Sequence, residues 1–304
     1  MGYDFSIFWQ LGRGILDGQN PYSLVEPHYP PAAILMFTIF AILPYLPSFA
    51  VWTGVNFVLY LNCLKRLQLG RWGFAWLLFV PTVFNFISGQ LDIFYFWLAL
   101  FLQKGGWKAA LAGALLTTKP QIAFIALPWF LVRWLLKDRR TLLRWAGLTL
   151  ALHLLPLLYR TDIYAQWAGI INGEVDWRIY LTPGVFTLSN FNVPSPLMAA
   201  LAAAIAIWGL FQERLTGWIS FTLALPIGQW YDETLLVGSA PWWLAVPVSW
   251  AAFGLSAVVH NAVPMALIPV ILLGWNLYRN RATKMNRINH GGTEDTEKTD
   301  LYSP

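Results

Sequence analysis

One aspartate, Asp4, heads the only long polar stretch in the first 60 residues, DFSIFWQLGRGILDGQNPYSLVEPHYPP. A carboxylate set against aromatic, apolar surroundings is held back from ionising and can serve as a general base toward a hydroxyl group. Its competing role is plainer: an N-cap for a helix that starts at Phe5. The second candidate is Lys119, followed by Pro120 in apolar sequence between Lys108 and Arg133. A lysine in mid-membrane costs about 2.5–3.5 kcal/mol on insertion scales, which points to a use. An ammonium suits a phosphate as a point charge, and the alternative is a side chain that snorkels to the interface.

Two further clusters interrupt apolar runs. In Ser88-Gly89-Gln90-Leu91-Asp92, the Gln90 amide suits sugar hydroxyls and Asp92 can orient either Gln90 or a lysine; a plain hairpin turn explains the same residues. In LPIGQWYDETLLVG, Trp230 and Tyr231 precede Asp232 and Glu233, a pairing found in sugar sites and at membrane interfaces alike. Arg13 offers phosphate-matching geometry. His28, Arg160, Arg178 and Asn190 complete the polar set, and Asp17 before Gly18 reads as a turn or C-cap residue. The four histidines show no metal-ligand spacing, and no phosphate-binding glycine loop or GxSxG elbow is present.

The elements that must position these residues are helices in a membrane. Of 304 residues, 57% are hydrophobic and 12% charged, and mean hydropathy is +0.52. A soluble chain carries about twice that charge fraction, so the composition reads as an all-α polytopic membrane protein. The 18 tryptophans and 12 tyrosines fit interfacial belts. The single cysteine, Cys63, excludes an internal disulfide. Net charge is +5, clustered at Lys65-Arg66, Arg133 to Arg144 and Arg279 to Arg287. Such clusters mark cytoplasmic loops and are not read as a nucleic-acid surface.

Residues 5–16 have the spacing of a short amphipathic surface helix. Residues 32–43 are too few before Pro44 to cross a core of ~30 Å and predict a shallow helix. Spans are predicted at 48–64, 72–88, 91–103, 109–132, 142–158, 194–211 and 215–227, with two or three crossings in 234–278. Placing the basic clusters inside puts Asp4, Gln90, the 159–193 loop and 228–232 outside together. That loop is a candidate lid or substrate wall. Residues 1–278 thus form one transmembrane domain, with 1–47 an outer loop bearing surface helices and 48–278 the bundle. Residues 279–304 read as a disordered cytoplasmic tail.

The stretch from Asp4 to Pro31 resembles the first outer loop of GT-C glycosyltransferases, most closely the bacterial family-87 enzymes of the mannosyltransferase type. The likeness rests on Asp4-Phe5, then Gly18-Gln19-Asn20-Pro21-Tyr22, then Tyr29-Pro30-Pro31, and it continues through Gly89-Gln90, the run GWKAALAGALLTTKPQIAFIALP and PIGQWYDETLLV. It implies a GT-C-like bundle of about 9–11 transmembrane helices in the plasma membrane, with an extracytoplasmic active site. It implies inverting transfer of a hexose, mannose foremost, from a polyprenyl-phosphate carrier to a lipid or glycan acceptor, without metal or other cofactor. Asp4 falls at the position of the base and Lys119 at one suited to the lipid phosphate, with Arg13 assisting. Tyr22, Tyr29, Gln90, Asp92, Trp230 and Asp232 are expected around sugar and acceptor. Two departures stand out. Relatives carry a transmembrane helix ahead of the aspartate loop, and this chain begins three residues before Asp4. Many also carry a histidine where this chain has Tyr231-Asp232. A transporter or lipid-carrier flippase, or an inactive truncated paralogue, are the competing expectations.

Overall fold

A computed structural model describes residues 2–24, 29–172, 184–226 and 229–289, with side chains through Thr283. The described residues are helical and hold no strand, as the composition predicts. Helix α1 (Tyr3–Leu16) turns Phe5, Phe8 and Leu11 inward, each all but fully buried. It lies across α2 (Pro31–Ala41), close enough that a Cβ at Gly12 would strike the Phe37 carbonyl. The predicted surface helix therefore packs on protein along one face.

Helix α2 has 11 residues and meets α3 (Tyr45–Arg66, 22 residues) at a 110° bend, with Pro44 at the N-cap of α3. At 1.5 Å per residue α2 reaches only about 16 Å, too short to cross a core of ~30 Å by itself. Beyond α3 a 3-10 stretch, Gly70–Leu78, leads to α4 (Val80–Ser88) and α5 (Asp92–Ala99). The apolar run 109–132 is built in pieces: α6 (Gly106–Leu116), α7 (Pro120–Ala126) and α8 (Pro128–Lys137). Each proline opens the helix it begins, where its missing N–H leaves no bond unmade. Helix α9 (Arg139–Tyr159) is N-capped by Asp138, whose Oδ1 accepts from the Thr141 N–H at 3.1 Å. Then follow α10 (Ile163–Ile171), α11 (Ser195–Leu210), α12 (Arg214–Ala224), a 3-10 turn Trp230–Leu236, α13 (Trp242–Val259) and α14 (Leu267–Asn289).

Among the described residues two helices, α9 and α13, are long and apolar enough to cross a membrane alone, and the bent α2–α3 pair makes a third candidate. Several of the other apolar runs are divided into shorter helices. Glycine, proline and polar residues at 88–92, 117–120 and 128 interrupt the helical ladder. The last helix also runs past residue 278 into the basic segment predicted to be disordered. Arg, Ala, Lys and Met favour helix, and extension from an existing helix avoids the nucleation step.

Candidate active site

Gly89 is where the site begins. It ends α4 in the left-handed region, φ 75°, which L side chains rarely adopt. A Cβ there would lie 2.6 Å from Phe5 Cβ and 2.9 Å from the Phe49 ring. The glycine thus lets α1 and α3 close on the α4–α5 break, which brings Asp4 to Gln90. The break is held from α3, where Trp52 Nε1 donates to the Gly89 carbonyl at 3.2 Å and Asn56 Nδ2 to the Gln90 carbonyl at 3.5 Å.

Asp4 sits in the first turn of α1, whose N-cap is Gly2. The N-cap role is therefore excluded. The carboxylate faces the side chains of Gln90 and Ser88. Burial lifts its pKa above the ordinary carboxylate range, and those two side chains and the Lys119 charge pull against the rise. The exposed amides of the first helical turn also favour an anion there. Gln90, itself 1% exposed, accepts from the Tyr29 hydroxyl at 3.4 Å and donates from Nε2 to the Tyr231 hydroxyl at 3.0 Å. Tyr22 is buried behind Tyr29, its hydroxyl donating to the Tyr29 carbonyl at 2.9 Å. It fixes Tyr29 and has no hydroxyl proton left over for a ligand.

Lys119 lies at the α6–α7 break, 3% exposed. Its Nζ donates to Asp92 and, at 2.7 Å, to Asp232 Oδ1, and it stands 5.4 Å from the centre of the Tyr231 ring. Both carboxylates are buried, at 0% and 1%. Asp232 Oδ2 also accepts from the Gln229 N–H at 2.8 Å, closing a reciprocal cap on the 230–236 turn. Two carboxylates surround one ammonium, so the ionised triad carries one net negative charge. Lys119 is thus paired with two carboxylates, and Asp92 orients the lysine, one of the two roles its position offered.

Arg13 stands apart from this cluster. Nine residues beyond Asp4 on α1, it points about 180° away from it. It is exposed and paired with Asp17 at 3.0 Å. Asp17 is the C-cap of α1, as its position before Gly18 predicts. Trp230 packs edge-on against Phe84 (4.6 Å) and lies 6.0 Å from Phe253, an anchor for the turn. Arg160 pairs with Asp162 at the surface and Asn190 bonds the Thr187 carbonyl. Glu26, His28 and Arg178 lie outside the described residues.

Reading the sequence missed Asn85. Its Nδ2 reaches the Pro81 and Tyr231 carbonyls (2.9 and 3.2 Å) and Thr234 Oγ1 (2.9 Å), tying α4 to the 230–236 turn. An asparagine alone in the apolar run VPTVFNFIS was the available signal. Tyr231, taken only as a neighbour of Asp232, is the partner of Gln90. Glu233 is fully buried, with neither oxygen hydrogen-bonded. No group of three or more metal-binding side chains occurs among the described residues.

Half-helices buried in an apolar bundle, with a carboxylate, amides and tyrosines gathered at their ends, define a helical membrane protein with a polar site. The model of glycosyltransferase family 87 matches residues 28–288, and the chain belongs to that family. The match begins after α1, so the place of Asp4 rests on the geometry above. No curated protein and no solved structure matches the chain.

Proposed function

We propose that this glycosyltransferase is of the GT-C type and moves a hexose, mannose foremost, from a polyprenyl-phosphate carrier to an acceptor hydroxyl. The site faces outward from the plasma membrane and transfer inverts the anomeric centre. The observation that carries this reading is Asp4: a part-buried carboxylate beside Gln90 and Ser88, within the field of Lys119. Asp4 takes the acceptor hydroxyl proton as the oxygen attacks C1, and the lipid phosphate leaves with the bonding electrons. Gln90, Tyr29 and Tyr231 form a connected row of hydrogen-bonding groups suited to hold a sugar beside that carboxylate. Lys119, locked between Asp92 and Asp232, fixes the floor of the site beside Tyr231.

The test is transfer from a chemically made polyprenyl-phosphate mannose in membrane vesicles. Removing a general base typically costs about 10²–10⁴-fold in rate, so Asp4→Asn at matched expression should lose at least a hundredfold. Full activity in Asp4→Asn would remove the assigned base. An inert wild-type chain with every hexose donor tried would favour the inactive-paralogue reading.

A further inference from the structure

A groove lies at the far end of α3 from the site. Tyr45 of α3 donates to the Gly2 carbonyl at 3.0 Å and Asn56 reaches Gln90, so the first half of the helix borders the site. Lys65 is nine residues beyond Asn56, about 14 Å further along the axis. There, the end of α3 and the 3-10 stretch Gly70–Leu78 enclose a cavity of about 520 Å³. That is within the ~300–1,000 Å³ range of small-molecule sites. Leu61, Leu64, Leu69 and Phe74 supply apolar walls, and Lys65 and Gln68 supply the polar groups. Gly73 is part of the same lining; a Cβ on it would stand 3.2 Å from Leu69 Cβ, so the absent side chain keeps the groove open.

The charge along this part of the chain is almost all positive. From Tyr45 to Lys104 the sequence holds Lys65, Arg66, Arg71 and Lys104 and a single acid, Asp92, which is buried against Lys119. Arg66 is engaged by Asn62 Oδ1 at 2.6 Å and lies 4.2 Å over the Phe101 ring. Arg71 stands over Trp72 and Lys104 over Phe101. The Lys65 side chain makes no hydrogen bond, ion pair or ring contact among the described residues, and it is exposed at the groove.

We infer that this groove binds one anionic glycerophospholipid of the leaflet opposite the active site. The phosphate lies against Lys65 and Gln68, and an acyl chain fills the slot between Leu61, Leu64, Leu69 and Phe74. A zwitterionic lipid would fill the slot equally but leave the local positive charge uncompensated. The site is separate from the transfer chemistry and does not depend on it.

The protein is purified whole from bilayers of phosphatidylglycerol and phosphatidylcholine with identical acyl chains at equal mole fraction, and retained lipid is counted by native mass spectrometry. Wild type should keep one phosphatidylglycerol in preference to phosphatidylcholine. One lysine near a headgroup corresponds to about fivefold in affinity, so Lys65→Ala should lower phosphatidylglycerol retention by about that factor. Leu61→Trp, which fills the slot and leaves the charge, should lower retention of both lipids. Gel filtration verifies that each variant is folded. Equal retention of the two lipids by wild type, or undiminished binding in folded Lys65→Ala or Leu61→Trp, would overturn the assignment.

Discussion

Lys119→Met isolates the electrostatics of the buried triad. Methionine roughly keeps the volume of lysine and removes the charge, leaving Asp92 and Asp232 facing one another at 0% and 1% exposure. Removing one partner from a buried ion pair typically costs about 3–5 kcal/mol, because the remaining charge is neither solvated nor paired. At ~2 °C per kcal/mol for a chain of this size, the unfolding midpoint should fall by about 6–10 °C. Asp92→Asn goes the other way. It removes the surplus carboxylate, one of whose oxygens already lacks a partner, and leaves Lys119 in a one-to-one pair with Asp232. Its midpoint should stay within about 2 °C of wild type. Asp232→Asn falls between them, since it also disturbs the cap on the Gln229 N–H. The assay is thermal unfolding in detergent followed by intrinsic tryptophan fluorescence. A shift under 2 °C in Lys119→Met, or an Asp92→Asn variant as destabilised as Lys119→Met, would refute the claim that the triad carries excess negative charge.

Three other expectations follow from single residues. The raised Asp4 pKa means that folding favours its protonated form. Its stabilising contribution is complete below the unfolded value of about 4 and is lost as pH rises through the higher folded value. Asp4→Asn should therefore unfold at a higher temperature than wild type at neutral pH, with the gap closing toward pH 4, and the acid limb of wild-type activity should lie above pH 4. Gly89→Ala must take a φ of 75° and push on Phe5 and Phe49. It should cost more than ~1 kcal/mol and lower transfer by displacing Asp4 from Gln90, read by parallel melting and activity measurements. Glu233→Gln removes a buried carboxyl that has no partner, so melting should show it neutral or stabilised; a large loss would reveal an interaction that Glu233 makes.

The sequence exposes the parts of this fold that depend on local rules. Pro44, Pro120 and Pro128 sit where helices begin, and Asp17 and Asp138 sit at helix ends, because caps and prolines act on their own neighbours. Asp4, Gln90, Asp92, Lys119 and Asp232 stand out as polar residues interrupting apolar runs, and the structure gathers all five. Their pairing was not legible. Whether Lys119 meets a ligand or two aspartates depends on how α5, α7 and the 230–236 turn approach one another, and those contacts join residues 27 and 113 apart. Helical geometry alone sets Arg13 apart from Asp4, since nine residues on a helix place two side chains on opposite faces.

The breaks in the helices account for several of the buried polar groups, and this separates scaffold from chemistry. Every helix end leaves backbone groups unpaired, and an apolar bundle supplies no water to meet them. Trp52 and Asn56 serve the carbonyls of Gly89 and Gln90, Asn85 serves Tyr231, Tyr22 serves Tyr29, and Asp232 serves the Gln229 N–H. Lys119 in turn serves Asp232 and Asp92. These side chains are committed to holding the breaks, whatever chemistry takes place beside them. Asp4 has no such backbone duty among the described residues: Gly2 supplies the N-cap of α1, and the Asp4 carboxylate meets only side chains that lie where separate helices stop. A carboxylate kept part-buried without a structural task is costly to the fold, and proton transfer from an acceptor hydroxyl is the use that its position supports.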